Sequence, residues 1–374
     1  MSGHEIKIAA FVHPKRCSHP LGGVGRHAAG ILGALQARSD VGVELLVSKQ
    51  WVGADGRLAG ECPLAELPVR TFPFPEILVE RCWKTFGHPR IDRWAGGADW
   101  IYSPMETYLP ARRVPVAITI HDVQAFETDL PWSNTAHHRR WRAKWSVWIH
   151  KALRDIRVVF TVSEFSKSRM VDLLGADPGK IVVVGNGVGS ELFAIERRPA
   201  QDGIPYAVVI GGLRAKKGGT EVIAVAKELQ SRRSELKIIT AGINDPELAN
   251  QAREIGSLEV HGTVPELELH RLLAGASSLL FLSSYEGFGL PVLEAMAAGV
   301  PVIAANRASL PEALGDAGIL VEPDDTAGIA DILIGLSRDS QRRESLAAAG
   351  RRRAALFSWD RCADIVVGAL TAHA

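Results

Sequence analysis

Long apolar runs are missing from this 374-residue chain. Stretches such as 181–184 and 278–282 stop far short of the ~18 consecutive residues that a spanning helix requires, so no bilayer crossing is expected. Cysteine is scarce: Cys17, Cys62, Cys82 and Cys362 show no CxxC or CxxH spacing. That argues against a disulfide framework and a structural zinc, and leaves core or surface thiols. A surplus of one charge is also absent, since 43 Lys plus Arg against 42 Asp plus Glu give +1. No overall field therefore marks a nucleic-acid partner. With 47% apolar residues, disorder is excluded. The length supports roughly two domains at ~100–200 residues each. The short apolar run 6–12 meets His13-Pro14 before any long signal core, so it reads as a first strand and the protein is expected in the cytoplasm.

What the chain has instead is alternation. Short β-rich runs at 6–12, 43–47, 100–102, 116–120, 158–162 and 181–184, then at 207–210, 236–240, 258–261, 278–282, 300–304 and 318–321, are separated by longer helical patterns. That order predicts an α/β protein with two parallel sheets. Between the two sets lies 186–205, rich in glycine, proline and polar residues without helical or strand period. It reads as a linker with the boundary near 200, giving domains 1–200 and 201–357. Ser358 caps a final helix, 358–374, expected to cross back onto the first domain. One stretch, 132–157, carries seven Lys or Arg against the single acid Asp155, with Trp132, Trp141, Trp145 and Trp148 interleaved. Such a helix can lie on an anionic membrane surface or line an acceptor groove. Equally, the tryptophans at helical spacing can be the buried stripe of an ordinary surface helix.

The segment richest in chemistry is 283–304, SSYEGFGLPVLEAMAAGVPVIA. A buried strand ends at Leu282, a glycine-containing loop turns the chain, and a helix is expected from about Leu290, with Pro291 where no intrahelical hydrogen bond is lost. The free amides of Gly289 and Leu290 would then face out of the carboxyl edge of the sheet, where anionic ligands bind in α/β folds. Glu286 and Glu294 flank that place, and carboxylates accept hydrogen bonds from sugar hydroxyls.

The E-x7-E spacing from Glu286 to Glu294, in EGFGLPVLEAMAAGVPVIA and followed by Ser309-Leu310-Pro311-Glu312 and Gly315-Asp316-Ala317-Gly318, resembles the donor-binding signature of family 4 of the retaining glycosyltransferases. Their fold is GT-B, two Rossmann-like domains facing each other across a cleft. The resemblance runs over nearly the whole chain. Leu21-Gly22-Gly23-Val24-Gly25-Arg26 matches the family's first glycine loop, which approaches donor phosphate and acceptor, although GGVG alone only signals a tight strand-to-helix turn. His121-Asp122 matches the histidine that contacts the donor sugar. Val162-Ser163-Glu164-Phe165-Ser166 and Val184-Gly185-Asn186-Gly187-Val188 resemble the pattern before the linker, with Gly189 where Asp is common. Gly211-Gly212-Leu213-Arg214-Ala215-Lys216-Lys217-Gly218 matches the phosphate loop, with Lys217 as the aligned lysine. Gly212 stands where the family often has Arg, so Arg214 and Lys216 are both open as second cation.

The resemblance implies that Glu286 holds hydroxyls of the transferred hexose and Glu294 the ribose, while Gly287, Phe288, Gly289 and Leu290 line phosphate and sugar. His121, Glu286 and Lys217 form the catalytic group, Gly22 and Gly23 approach the donor, and the chain from His261 to Val264 borders the base. No D-x-D pair is present, so no metal or other cofactor is expected. The implied reaction is retaining hexosyl transfer from GDP-mannose or UDP-glucose to a saccharide or lipid-linked oligosaccharide in cell-surface polysaccharide synthesis; peripheral membrane contact, if made, is expected through the basic stretch 132–157. A nucleotide-sugar epimerase on the same scaffold and a silent nucleotide-sugar-binding subunit are the alternatives. A dehydrogenase is the weakest, because GGVGRH lacks the G-x-G-x-x-G spacing.

Overall fold

The computed structural model describes residues 5–18, 22–60, 62–200 and 202–374. The chain divides into two compact units, Met1–Gly187 with Ser358–Ala374, and Val188–Phe357. The sheet of the first unit contains β1 (Ile6–Phe11), β2 (Val41–Ser48), β3 (Val69–Phe72), β4 (Trp100–Ser103), β5 (Val116–Thr119), β6 (Val158–Thr161) and β7 (Ile181–Val183), in spatial order β3-β2-β1-β4-β5-β6-β7. That of the second contains β8 (Tyr206–Ile210), β9 (Lys237–Ala241), β10 (Leu258–Val260), β11 (Ser278–Phe281), β12 (Val302–Ala305) and β13 (Ile319–Val321), in order β10-β9-β8-β11-β12-β13. All pairings are parallel, for example Ile8 opposite Trp100 and Leu279 opposite Val208. Strand order therefore reverses between β1 and β4 and between β8 and β11, the crevices where α/β sheets bind ligands.

The twelve strands expected from sequence are all present, with ends within two residues. Their apolar runs are legible because crossover helices cover both faces of a parallel sheet, and β4, β5, β6, β11 and β12 are buried throughout. The additional strand β3 lies at an edge, carries Arg70 and Thr71 and is bracketed by Pro68 and Pro73. No apolar run announces it. Along β1 the side chains alternate between layers. Ile8 and Ala10 pack with Ile31, Leu35, Val366 and Leu370 on one side; Ala9 and Phe11 pack with Trp83 and Ile118 on the other. The second unit is centred on Val209, Val222, Leu280 and Leu333.

The segment 186–205 is not without helical structure, as its composition suggested. It holds a single turn, Ser190–Phe193, and the second unit starts at Val188 rather than near 200. The helix Trp359–Ala372 belongs to the first unit. Ser358 starts it by accepting the Arg361 amide at 3.2 Å, and Val366 and Leu370 pack against the helix Gly23–Gln36. Trp359 fills a slot cut from glycine: a Cβ on Gly30 would lie 2.2 Å from its Cε2, and one on Gly187 2.4 Å from its backbone nitrogen.

The basic stretch 132–157 is two helices, Ala136–Ser146 and Ile149–Asp155, broken at Val147 and Trp148. Its tryptophans form a packed ladder, Trp141 to Trp145 at 6.1 Å and Trp145 to Trp148 at 5.2 Å, with Trp148 buried and the other two half-buried. The rings pack on one another, and only Trp148 is fully withdrawn from solvent. Among the described residues no helix is long and apolar enough to cross a bilayer.

Candidate active site

In the second unit the loops after β8 and β11 meet at the point where strand order reverses. Gly218 has a φ of +75°, and a Cβ there would fall 2.3 Å from the Leu282 carbonyl oxygen, so only glycine lets the first loop cross the end of β11. Ser283 Oγ and the Ser284 amide both donate to the Lys216 carbonyl at 3.2 Å, fastening the two loops. This placement brings Lys217 Nζ into an ion pair with Glu286, with the two side chains 19% and 15% exposed. The lysine also lies 5.8 Å from the centre of the Phe281 ring. Cation and hydroxyl acceptor, given separate partners by the sequence argument, are therefore partners of each other in the free protein.

Gly289, at φ +100°, caps the helix Leu290–Ala297 with Pro291 in the first turn, as the loop chemistry predicts. Ser309 Oγ holds the loop by donating to the Glu286 carbonyl at 2.9 Å. Phe288 is buried and meets Phe357 edge-on at 5.7 Å. Glu294 lies on the helix, 8% exposed. Gly287 lies in the loop between Glu286 and Phe288. The loop after β8 is also tied to those after β9 and β10. Asn244 accepts the Leu213 amide at 2.7 Å and donates to the His261 carbonyl at 2.9 Å, which leads to half-buried Val264. Arg214 and Lys216 are distinguished here: Arg214 Nε is buried with no hydrogen-bond partner among the described residues, whereas Lys216 is exposed. Asn244 and its bridging role were not picked out from sequence, since a lone Asn between strand and helix carries no signal beyond a turn.

In the first unit, Leu21 lies outside the described residues. Gly22 caps the helix Gly23–Gln36 at φ −75°, with nothing within 4 Å of an added Cβ. Backbone freedom is thus not what selects glycine at this position. His121 follows β5 and is 8% exposed. Its Nε2 donates to the Pro104 carbonyl at 3.1 Å, leaving Nδ1 as the acceptor, and its amide donates to Glu106 Oε1 at 3.2 Å. Burial, with Arg16 adding to it, lowers the His121 pKa to about 4, so the ring is neutral at physiological pH. Glu106, its side chain 9% exposed, is raised by desolvation, with Arg16 at 3.3 Å opposing.

A further cluster at the end of β1 escaped sequence reading because its members are far apart in the chain. His13 is clasped between Glu76, through Nδ1, and Glu80, 2.6 Å from Nε2. Trp51 Nε1 donates to Glu76 at 2.8 Å and Lys84 pairs with Glu80 at 2.9 Å. Burial opposes protonation of His13, but the two carboxylates outweigh it and raise its pKa to about 9. For Glu80, burial would raise the pKa; His13 and Lys84 bring it down to about 2.

Two family models match in succession, Glycosyltransferase Family 4 over residues 21–192 and Glycosyl transferases group 1 over 193–353. The chain is 31% identical to O-antigen chain mannosyltransferase B of Escherichia coli over 75% of its own length and 77% of that protein. It is 29% identical to the MMP alpha-(1->4)-mannosyltransferase of Mycolicibacterium hassiacum over 64% and 67%. Among solved structures, HepE of Anabaena, in complex with UDP and glucose, superimposes with a TM-score of 0.70 at 18% identity over 98% of this chain and 99% of that one. Two parallel Rossmann-like sheets of seven and six strands, the matched models and the 31% identical relative together place this chain in glycosyltransferase family 4, with the GT-B fold.

Proposed function

We propose that this glycosyltransferase moves a hexose from a nucleoside diphosphate sugar to a saccharide or lipid-linked oligosaccharide, with retention of anomeric configuration. The observation that carries the reading is the Lys217–Glu286 pair beside the N-terminus of the helix Leu290–Ala297, at the carboxyl ends of β8 and β11. Cleaving a glycosyl phosphate bond leaves negative charge on the departing diphosphate, and stabilising that charge is the main task. A helix terminus contributes ~0.3–2 kcal/mol to a nearby anion, and a fixed ammonium in a drier site contributes more. Lys217 is therefore the dominant group, with Arg214 as the second cation because its buried Nε is left without a partner among the described residues. Glu286 accepts hydrogen bonds from hexose hydroxyls, Glu294 from the ribose, and neutral His121 through Nδ1 from a further sugar hydroxyl.

The acceptor oxygen attacks from the face the diphosphate leaves, and a donor phosphate oxygen takes the acceptor proton, so no protein nucleophile is required. The charges are those of the protein, with no divalent cation assigned; a chelator that abolishes transfer would contradict this. The relative at 31% identity is named a mannosyltransferase, which favours GDP-mannose over UDP-glucose. Thermal-shift titration with GDP, UDP and ADP tests the donor, since a ligand at ~100 times its Kd stabilises by ~2.7 kcal/mol. Glu294→Ala should lower transfer by about two orders of magnitude or more, and transfer at the wild-type rate in that variant would overturn the site. Incubation with donor alone should give no epimer.

Membrane contact of the first unit is also proposed, with its apolar part moved away from the tryptophans. On the helix Glu76–Phe86, Ile77, Leu78 and Phe86 are 77%, 59% and 73% exposed, an outward apolar face around Arg81. Lys84 lies 6.0 Å from the centre of the Trp148 ring, so this helix meets the basic stretch at the break between its two helices, and Arg81 is exposed among the apolar residues. Apolar insertion flanked by cations suits an anionic lipid surface.

A further inference from the structure

His27, in the helix Gly23–Gln36, is fully buried, and no step above uses it. Its Nδ1 donates to Asn186 Oδ1 at 2.8 Å, leaving Nε2 buried without a hydrogen-bond partner among the described residues. Leucine or phenylalanine would fill such a space without an orphaned polar atom, whose burial is unfavourable. The imidazole does something they do not: the bond to Asn186 fixes the orientation of its ring. That ring stands at 88° to the ring of His121, with centroids 4.6 Å apart, and at 73° to Trp359 at 5.8 Å. Trp359 is itself locked into the slot formed by Gly30 and Gly187.

Among the described residues the His121 side chain has one hydrogen bond, from Nε2 to Pro104, and one such bond leaves its ring free to tilt unless a neighbour blocks it. The polar groups facing it from the other packed elements are Arg16, from the turn Pro14–Arg16, and Glu106, which accepts its amide; Ser166 Oγ donates to its carbonyl at 2.9 Å.

We propose that His27 is a positioning residue for His121: its ring edge fixes the His121 plane, keeps water from the buried side, and links that ring to Trp359 of the last helix. The inference rests on the reading that Nδ1 of neutral His121 accepts a sugar hydroxyl. Burial, then the His121 ring beside it, holds His27 well below its ordinary pKa.

The test uses His27→Gln, which keeps a donor for Asn186 but removes the ring, and His27→Phe, which keeps the ring but removes the donor. Donor kcat/KM is measured from pH 5 to 7.5 alongside the melting temperature. With His121 titrating at about 4, the wild-type profile is flat over this range. In His27→Gln, water reaches His121, whose pKa moves up towards 6.5, so kcat/KM falls by up to about tenfold per pH unit below pH ~6. In His27→Phe the profile stays flat. Flat profiles in both, with only lower melting temperatures, reduce His27 to packing and overturn the proposal. If His121→Ala also transfers at the wild-type rate, the reading beneath it falls too; if His121→Ala is impaired, only this inference fails. Should His27→Gln not fold, Trp359→Leu removes the ring on its other side and is read by the same criterion.

Discussion

Replacing Lys217 by Met perturbs the ground state and the transition state by amounts that can be separated. In the free protein the ammonium pairs with Glu286, with side chains 19% and 15% exposed. Losing one member of a fully buried pair costs ~3–5 kcal/mol; screening at this partly wet site reduces that to ~1–2 kcal/mol. For a unit of this size that is a fall of about 2–8 °C in Tm. In the transition state the same group faces the departing diphosphate, and removing one preorganised donor costs ~2.7–4 kcal/mol, or ~10²–10³ in kcat. Glu286→Gln separates the two roles. It keeps the lysine, frees it from its partner and removes a negative charge from the phosphate site. At ~7 Å and an effective dielectric of ~40, that charge repels a phosphate charge by ~1 kcal/mol. GDP or UDP should therefore bind about fivefold tighter to Glu286→Gln in isothermal titration calorimetry, while the rate of hexose transfer falls. Unchanged or weaker nucleotide binding by Glu286→Gln, or Lys217→Met retaining transfer to within about threefold of wild type, would refute the reasoning.

His13 has a folded pKa of about 9 against an ordinary value of 6.5, so the stability its imidazolium contributes is full below pH 6.5 and is lost as pH rises through 9. In urea titrations the stability difference between wild type and His13→Gln should narrow across that window, and a widening difference would contradict the clasp. Gly218→Ala should destabilise by more than Gly56→Ala: both residues have positive φ, but only Gly218 has a carbonyl within 2.3 Å of the added Cβ, Gly56 facing open space. Left-handed backbone alone costs ~1–2 kcal/mol, so equal losses in chemical denaturation would sink the close-approach argument. Ile77→Ser with Phe86→Ser should reduce co-sedimentation with phosphatidylglycerol vesicles but leave transfer to a soluble acceptor in place. Binding unchanged by both substitutions would remove that helix from the proposed lipid contact.

The strands were legible because a parallel sheet demands unbroken apolar runs, and the glycine-containing turn before Leu290 because Pro291 and Gly289 each have a local conformational reason. Strand β3 was not, since an edge strand holding Arg70 and Thr71 needs no apolar run. The break at Val147–Trp148 was hidden as well: neither glycine nor proline marks it, and the ring ladder runs across it. Charges were harder to place than backbone. Glu286 and Lys217 were each singled out from their own loop, but nothing in a linear pattern says that residues 69 positions apart neutralise one another. The clasp of His13 by Glu76 and Glu80 and the contact of His27 with His121 were invisible for the same reason: their partners meet only once the chain has folded.

The tryptophan wedge at Gly30 and Gly187 bears on the order in which the polypeptide matures. Its slot is finished when Gly187 leaves the ribosome, but the indole that fills it is encoded after the entire second sheet. At ~5–20 residues per second, the amino-terminal half waits on the order of 10–30 s with part of its apolar layer still open to solvent. Nascent chains stalled in that interval should be the ones that chaperones retain.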